Sequence, residues 1–237
     1  METHSVARQS LMKNPQPEKH VWKSTAHAHF ERWSDHYDRD IINILLFRPS
    51  YRRVLAHLRQ GQRRGRGPLR ILDIGCGTGS LLIECCRLKG VMETGVGLDL
   101  TDGMLRQAQE KAHRLGYSEK LSFTLGDAEQ LPFADKSFDL VTCCNSFHHY
   151  PHQDRAVSEM HRVLDDAGQA IIIDGNRDDP WGYFIFEVCV VRAEGLVHHC
   201  TAERFRELFR QAGFSEPRQH VFGVCPPALF NLAAVQK

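Results

Sequence analysis

The sequence predicts an α/β fold: a doubly wound, mostly parallel seven-stranded sheet with an antiparallel C-terminal hairpin and an N-terminal helical cap. From Leu69 onward, short β-branched runs alternate with helical stretches, the pattern of βαβ units on a parallel sheet. The last extended segments follow one another with no helix between them, so they pair antiparallel. Before Leu69 the apolar residues recur at three- and four-residue spacings, as on amphipathic helices.

Residues 1–20 are polar, carry Pro15 and Pro17 and show no apolar period, which predicts a flexible tail. From Val21 to Leu58 the periodic set Phe30, Trp33, Tyr37, Ile41, Ile44 and Leu45 is followed by Tyr51, Val54, Leu55 and Leu58, and Pro49 divides the two helices. Arg59 to Pro68 is too rich in glycine and like charge for a regular element and reads as an exposed basic linker, closing an N-terminal unit over 21–68. The sheet domain then occupies 69–237. Strands are expected near 70–74, 94–99, 121–125, 138–144 and 170–174. Helices are expected near 80–89, 102–115, 154–164 and 201–212, the last stopped by Gly213. Extended segments near 217–223 and 227–235 form the hairpin.

At 237 residues the chain is long enough for one large domain, at roughly 100–200 residues per domain. With 42% hydrophobic and 25% charged residues it is neither fibrous nor disordered. The formal net charge is +1, so no global field draws it to nucleic acid or anionic lipid. The charge is nevertheless uneven: residues 1–70 hold 14 basic and 6 acidic residues. No apolar stretch reaches the roughly 18 residues of a membrane span, and a cytoplasmic location is expected. The eight cysteines include no C-x-x-C and read as buried free thiols. The 14 histidines show no zinc-finger or H-E-x-x-H spacing, so no metal site is expected.

In an open α/β sheet the ligand lies beyond the carboxyl ends of the strands, so the residues there carry the chemistry. After the first strand comes Asp73-Ile-Gly75-Cys76-Gly77-Thr-Gly79, whose glycines let the main chain turn sharply and approach a ligand closely. Asp99 closes the second strand, where a carboxylate can accept both hydroxyls of a ribose. Gly126-Asp127-Ala128 follows the third and suits an adenine, and Asn145-Ser146-Phe147-His148-His149-Tyr150 follows the fourth. Each taken alone is a common turn or cap. In chain order at successive strand ends they point to a nucleotide. The glycines are not spaced G-x-G-x-x-G, although Asp99 lies where a dinucleotide-binding carboxylate would, and no Walker G-K-[ST] follows them.

These residues, with Leu131-Pro132-Phe133, Ser137-Phe138-Asp139 and Arg162-Val163-Leu164, resemble the class I S-adenosylmethionine-dependent methyltransferases of Rossmann-like fold. The likeness is nearest to the branch holding the ubiquinone/menaquinone C-methyltransferases. The resemblance implies S-adenosyl-L-methionine as cofactor, with Gly75, Cys76 and Gly77 along its methionine part and Asp99 on its ribose. It further implies Asp127 and Ala128 at the adenine, and Asn145 and Ser146 as backbone beside the sulfonium. Asp73, Leu100 and Met104 complete the expected cofactor-binding set, and Tyr37 is expected to close over the cofactor carboxylate. The usual Lys-Pro-Gly-Gly after Arg-Val-Leu is here Asp165-Asp166-Ala167-Gly168, a change expected at a surface turn. The N-terminal signature of the quinone enzymes is absent beyond Tyr37-Asp38, which argues against a quinone acceptor.

Methyl transfer from a sulfonium needs proximity, exclusion of water and, for a neutral acceptor, a base. His148, ahead of its neighbour His149, is the candidate base, and Asp174 at the end of the fifth strand the group that orients it. His198 and His199 are expected on the surface or in a loop. The segment Asp178 to Phe186 is unusually aromatic and, with Trp33 and Phe30, is expected to wall a small, apolar acceptor; core closure or a homodimer interface are the alternatives. No Asn-Pro-Pro-Tyr occurs at Asn145, which disfavours a nucleic-acid substrate. The runner-up functions are RNA methylation, from Arg63-Arg64-Gly65-Arg66, and cofactor binding without turnover.

Overall fold

A computed structural model describes residues 41–190, 192, 197–223 and 226–236. The expected tail, and Phe30, Trp33 and Tyr37, lie outside the described residues. Helix α1 (Ile41–Arg63) leads into β1 (Leu69–Ile74), α2 (Ser80–Cys86), β2 (Met92–Asp99), α3 (Asp102–Arg114), β3 (Leu121–Leu125) and β4 (Phe138–Cys144). A 3₁₀ turn (Phe147–His149), α4 (Gln153–Val163) and β5 (Leu164–Gly175) follow. Beyond a short helix α5 (Pro180–Tyr183) come α6 (Ala202–Gln211), β6 (Arg218–Phe222) and β7 (Ala228–Ala234).

The strands form one seven-stranded sheet in the order β3-β2-β1-β4-β5-β7-β6. The first five are parallel, while β7 runs antiparallel to both β5 and β6, as the sequence predicts. Strand β1 lies between β2 and β4, so the order reverses beside it and a crevice opens beyond its carboxyl end.

Alternate residues of each central strand enter opposite layers, and both faces are covered, hence the nearly unbroken apolar runs. Leu72, Ile74, Ala170 and Ile172 join a core with α4 and α6, around Phe147, Phe205 and Phe209. Ile71, Ile171 and Ile173 join the other, with α2 and with Val54, Leu55 and Leu58 of α1. Helix α1 thus packs directly on the sheet.

That packing explains the first departures from expectation. Helix α1 runs through Pro49 and on to Arg63, so the proline divides nothing and the basic linker begins after that residue. The hydrogen bond lost at Pro49 is outweighed by the buried stripe Val54, Leu55 and Leu58. Strand β5 starts earlier than expected, at Leu164. The Asp165–Gly168 turn survives as a register break within it, between the Phe138–Leu164 and Leu140–Gln169 pairs.

Phe147 has no exposed surface and packs against the rings of Phe205 and Tyr150, at 5.3 and 5.7 Å between centroids. Phe147→Ala should destabilise the protein by about 3–5 kcal/mol, measured by urea unfolding; a loss under about 1 kcal/mol would contradict this packing.

Candidate active site

The loop after β1 is a chain reversal made by Gly75, Gly77 and Gly79, with φ of 68°, 52° and 72°. Left-handed backbone at these positions is costly for any residue with a Cβ. The amides of Gly75 and Cys76 donate to the Leu98 carbonyl at 2.8 and 3.0 Å, drawing the loop over β2. A Cβ on Gly75 would lie 2.3 Å from Ser146 Oγ. One on Gly77 would meet no atom of the described residues within 4 Å. The space above Gly77 belongs to the cleft that it lines. Lys111 holds the loop from beneath, donating to Thr78 Oγ1 and Ser80 Oγ at 2.9 and 3.0 Å.

Asp99 ends β2 on the wall of the same cleft. Its Oδ2 accepts from the Gly77 amide and its Oδ1 from the Thr101 amide, both at 2.9 Å. Each carboxylate oxygen keeps a further lone pair. Burial raises its pKa, and the two amides partly offset that shift. Asp127 lines the cleft too, its Oδ1 accepting from the Glu129 amide at 3.0 Å in a tight turn, beside the buried Ala128. Leu100 and Met104 complete that side, and Cys76 sits in the wall with its thiol pushed well up by burial.

Asp73 stands apart from the other expected contacts. Its buried carboxyl does not line the cleft and accepts from Thr142 Oγ1 at 2.7 Å, with its pKa raised to about 7 by burial.

After β4, Asn145 and Ser146 reach the cleft. Asn145 is left-handed at φ 57°, unusual for a residue other than glycine. Its amide donates to the Ile173 carbonyl at 2.8 Å, and its buried side-chain Nδ2 has no hydrogen-bond partner among the described residues. Ser146 Oγ donates to the Ile74 carbonyl at 3.2 Å and meets Tyr150 Oη at 3.2 Å. Phe47, Tyr51, Tyr150 and Pro151 also line the cleft. Helical periodicity alone could not assign Phe47 and Tyr51 to it, whereas Tyr150 belongs to the segment that follows the fourth strand.

The histidines are arranged differently from the sequence expectation. His149 lines the cleft, and His148 is buried behind it with ring centroids 4.1 Å apart. Asp174 grips His148 twice: Oδ1 lies 2.6 Å from Nδ1, and Oδ2 accepts from the main-chain amide at 2.8 Å. Asp174 Oδ1 also accepts from the Gly175 amide at 2.7 Å, so orienting a histidine and capping the turn coexist. Burial alone would raise the Asp174 carboxyl, but His148 and His199 outweigh it and hold it below its ordinary range.

His199, expected on the surface or in a loop, is 3% exposed and stacks on His148 at 4.4 Å. Its loop is drawn in because the His198 amide donates to the His148 carbonyl and Arg177 donates to the His199 carbonyl. No local sequence signal reports such long-range bonds. His148, Asp174 and His199 bring three donor atoms within 4.8 Å. An imidazole ligates a metal in its own ring plane, and these two rings are stacked only 20° from parallel, which disfavours a shared ion.

The aromatic segment does not wall this cleft. Trp181, Tyr183 and Phe184 are about half exposed, and Phe186 is buried against Gly175 and His199. Cys76, Cys85, Cys86, Cys143, Cys144 and Cys200 are free thiols, as expected.

Residues 72–172 match the family model described as "Methyltransferase domain". The chain carries a class I S-adenosylmethionine-dependent methyltransferase domain. It is 36% identical over 107 residues to a demethylmenaquinone methyltransferase of Bacteroides fragilis, spanning 45% of this chain and 43% of that one. A 28% identical alignment over 221 residues joins it to the same-named protein of Geobacillus kaustophilus, covering 84% and 92% of the two chains. The match thus spans less than half the length of the first relative.

Among solved structures, the 1,6-didemethyltoxoflavin-N1-methyltransferase of Burkholderia thailandensis superposes with a TM-score of 0.72 at 20% identity, over 94% of this chain and 92% of that one. The magnesium protoporphyrin IX methyltransferase of Synechocystis gives 0.70 at 19%, over 92% and 100%. Both hold S-adenosylhomocysteine, and at these identities they establish the shared fold. The methyltransferase family uses S-adenosylmethionine, and this cleft fits it: open space over Gly77, a carboxylate with spare lone pairs, and the orphaned Asn145 Nδ2.

Gly77→Ala should fold with a loss of about 1–2 kcal/mol, yet bind S-adenosylhomocysteine more than tenfold more weakly by calorimetry. Undiminished affinity would show that nothing approaches this backbone. Asp73 holds its proton to about pH 7 in the folded state, whereas the unfolded chain loses it near pH 4. Stability from this group is therefore lost as pH rises across that window. The thermal midpoint of Asp73→Asn relative to the unsubstituted protein should climb from pH 4 to about 7 and then level off; a flat difference would contradict the assignment.

Proposed function

We propose that this protein transfers a methyl group from S-adenosylmethionine to a small apolar or aromatic acceptor bound beside His149. The observation that carries the reading is one cleft holding both the Gly77–Asp99 cradle and the His149 imidazole. The named relatives support a small acceptor, since by name they act on a demethylmenaquinone or a toxoflavin precursor.

When bound, the cofactor supplies an electrophilic methyl on a positively charged sulfur. The chain's residues bind, orient and exclude water. The Gly75–Gly77 backbone and Asn145 lie along the methionine part, Asp99 takes the ribose hydroxyls, and Asp127 and Ala128 hold the adenine. Phe47, Tyr51, Met104 and Tyr150 supply apolar walls that exclude water from the reacting pair. Alignment of this kind accounts for about 7–11 kcal/mol of barrier.

His149 accepts the acceptor's proton at an imidazole nitrogen. The expected order, His148 before His149, is reversed because His148 sits behind the wall and His149 on it. His148 and Asp174 are positioning residues: the doubly held His148 ring fixes the surface on which His149 rests.

Incubation with methyl-labelled donor and fractionated small metabolites tests the reading. Label is expected in a small product; binding of the demethylated cofactor with no labelled product would overturn the enzymatic reading. His149→Ala should cut turnover about 10²–10⁴-fold while retaining S-adenosylhomocysteine affinity, and full turnover would remove the base assignment. His148→Ala should destabilise the fold by about 3–5 kcal/mol, because it leaves the Asp174 charge buried with its main partner removed.

A further inference from the structure

Past the residues that face the cofactor cleft, α1 borders a second depression that shares no residue with it. Arg53, His57 and Arg63 stand there on one helical face, with Arg59 at its margin. Arg218 and His220 of β6 face them, and Phe230 and Leu232 of β7, their register partners, form an apolar floor. The groove holds about 570 Å³, within the range of small-molecule sites.

Its charged lining residues are all basic. Among the described residues, no carboxylate lines the groove. Among the described residues, none of its four arginines makes an ion pair or a side-chain hydrogen bond. Elsewhere Arg70 pairs with Asp139, Arg162 with Glu159 and Asp135, and Arg206 with Glu203. Arg53 is held in place over the Phe222 ring, 5.0 Å from its centroid. Convergent guanidinium groups without a counter-charge repel one another and disfavour the compact state. The depression is also felt at His57, whose pKa is lowered first by burial and then by Arg66, Arg218 and Arg64, against a raising hydrogen bond from Gln169.

Guanidinium forks match phosphate oxygens in geometry and charge. Here they converge from two walls on one concave space, an arrangement suited to a compact anion and not to a duplex or a bilayer surface. We propose that the groove between α1 and β6 binds a small ligand bearing a di- or triphosphate, with an apolar part over Phe230 and Leu232. This site is separate from the methyl-transfer cleft and does not rest on the function proposed for it.

The test is calorimetric titration of the full chain, saturated with S-adenosylhomocysteine, with inorganic pyrophosphate at 50 mM salt. Saturable binding is expected. It should weaken about 100-fold in the Arg59→Gln/Arg218→Gln variant, tenfold or more for each charge-assisted bond removed. Arg114→Gln, at the exposed end of α3, should bind as the unsubstituted chain does. Absence of heat at millimolar pyrophosphate, unchanged binding in the double variant, or equal weakening by Arg114→Gln would each overturn the proposal. So would loss of retention on single-stranded RNA or phosphatidylserine vesicles by the double variant when pyrophosphate does not bind, which would assign the arginines to an extended polyanion. The S-adenosylhomocysteine titration on the same samples separates these results from any failure of the cofactor cleft.

Discussion

One hydrogen bond, from the Gly77 amide to Asp99 Oδ2, ties the loop that leaves β1 to the carboxylate that ends β2. Its neighbours make it possible: three left-handed glycines turn the chain back, and the Gly75 and Cys76 amides land on the Leu98 carbonyl. Once that tie is made, main chain forms the cleft surface where a side chain would otherwise stand. The close approach of Gly75 to Ser146 couples this loop to the one after β4, so the walls are positioned together.

Buried polar groups give the cleft its second layer. Asp73 rests on Thr142 across the β1–β4 pair, Ser146 bridges Ile74 and Tyr150, and Asp174 holds His148 by side chain and main chain. Each polar group is expensive to bury alone and inexpensive once matched, so each specifies one arrangement of the strand ends. The two acids respond oppositely to the same burial. Asp73 has only a hydroxyl to offset its desolvation and stays protonated to about pH 7, while Asp174 has imidazoles beside it and stays ionised.

Much of the fold was legible because it is written in local pattern. The alternation of β-branched runs with helices marked the parallel sheet, and the helix-free tail marked the antiparallel edge. The strand-end residues Asp99, Asp127, Asn145 and Ser146 were legible for the same reason, since sequence position alone brings them to one end of the sheet. Pro49 misled because burial of Val54, Leu55 and Leu58 overrides a local helix-breaking signal. The aromatic segment misled because hydrophobicity reports a tendency to be covered without saying by what; only Phe186 found a buried seat.

The sequence by itself determined the order of elements, the glycine turn and the carboxylates at the strand tips. These follow from backbone sterics and from periodicities of two and about 3.6 residues, which act over short stretches of chain. Tertiary structure alone decided which of two adjacent histidines faces the cleft, that His199 comes to lie on His148, and that α1 arginines meet Arg218 across a groove. Those outcomes depend on contacts between residues dozens to more than a hundred and fifty positions apart. No local propensity encodes them, and they form only when the packed sheet brings its distant edges together.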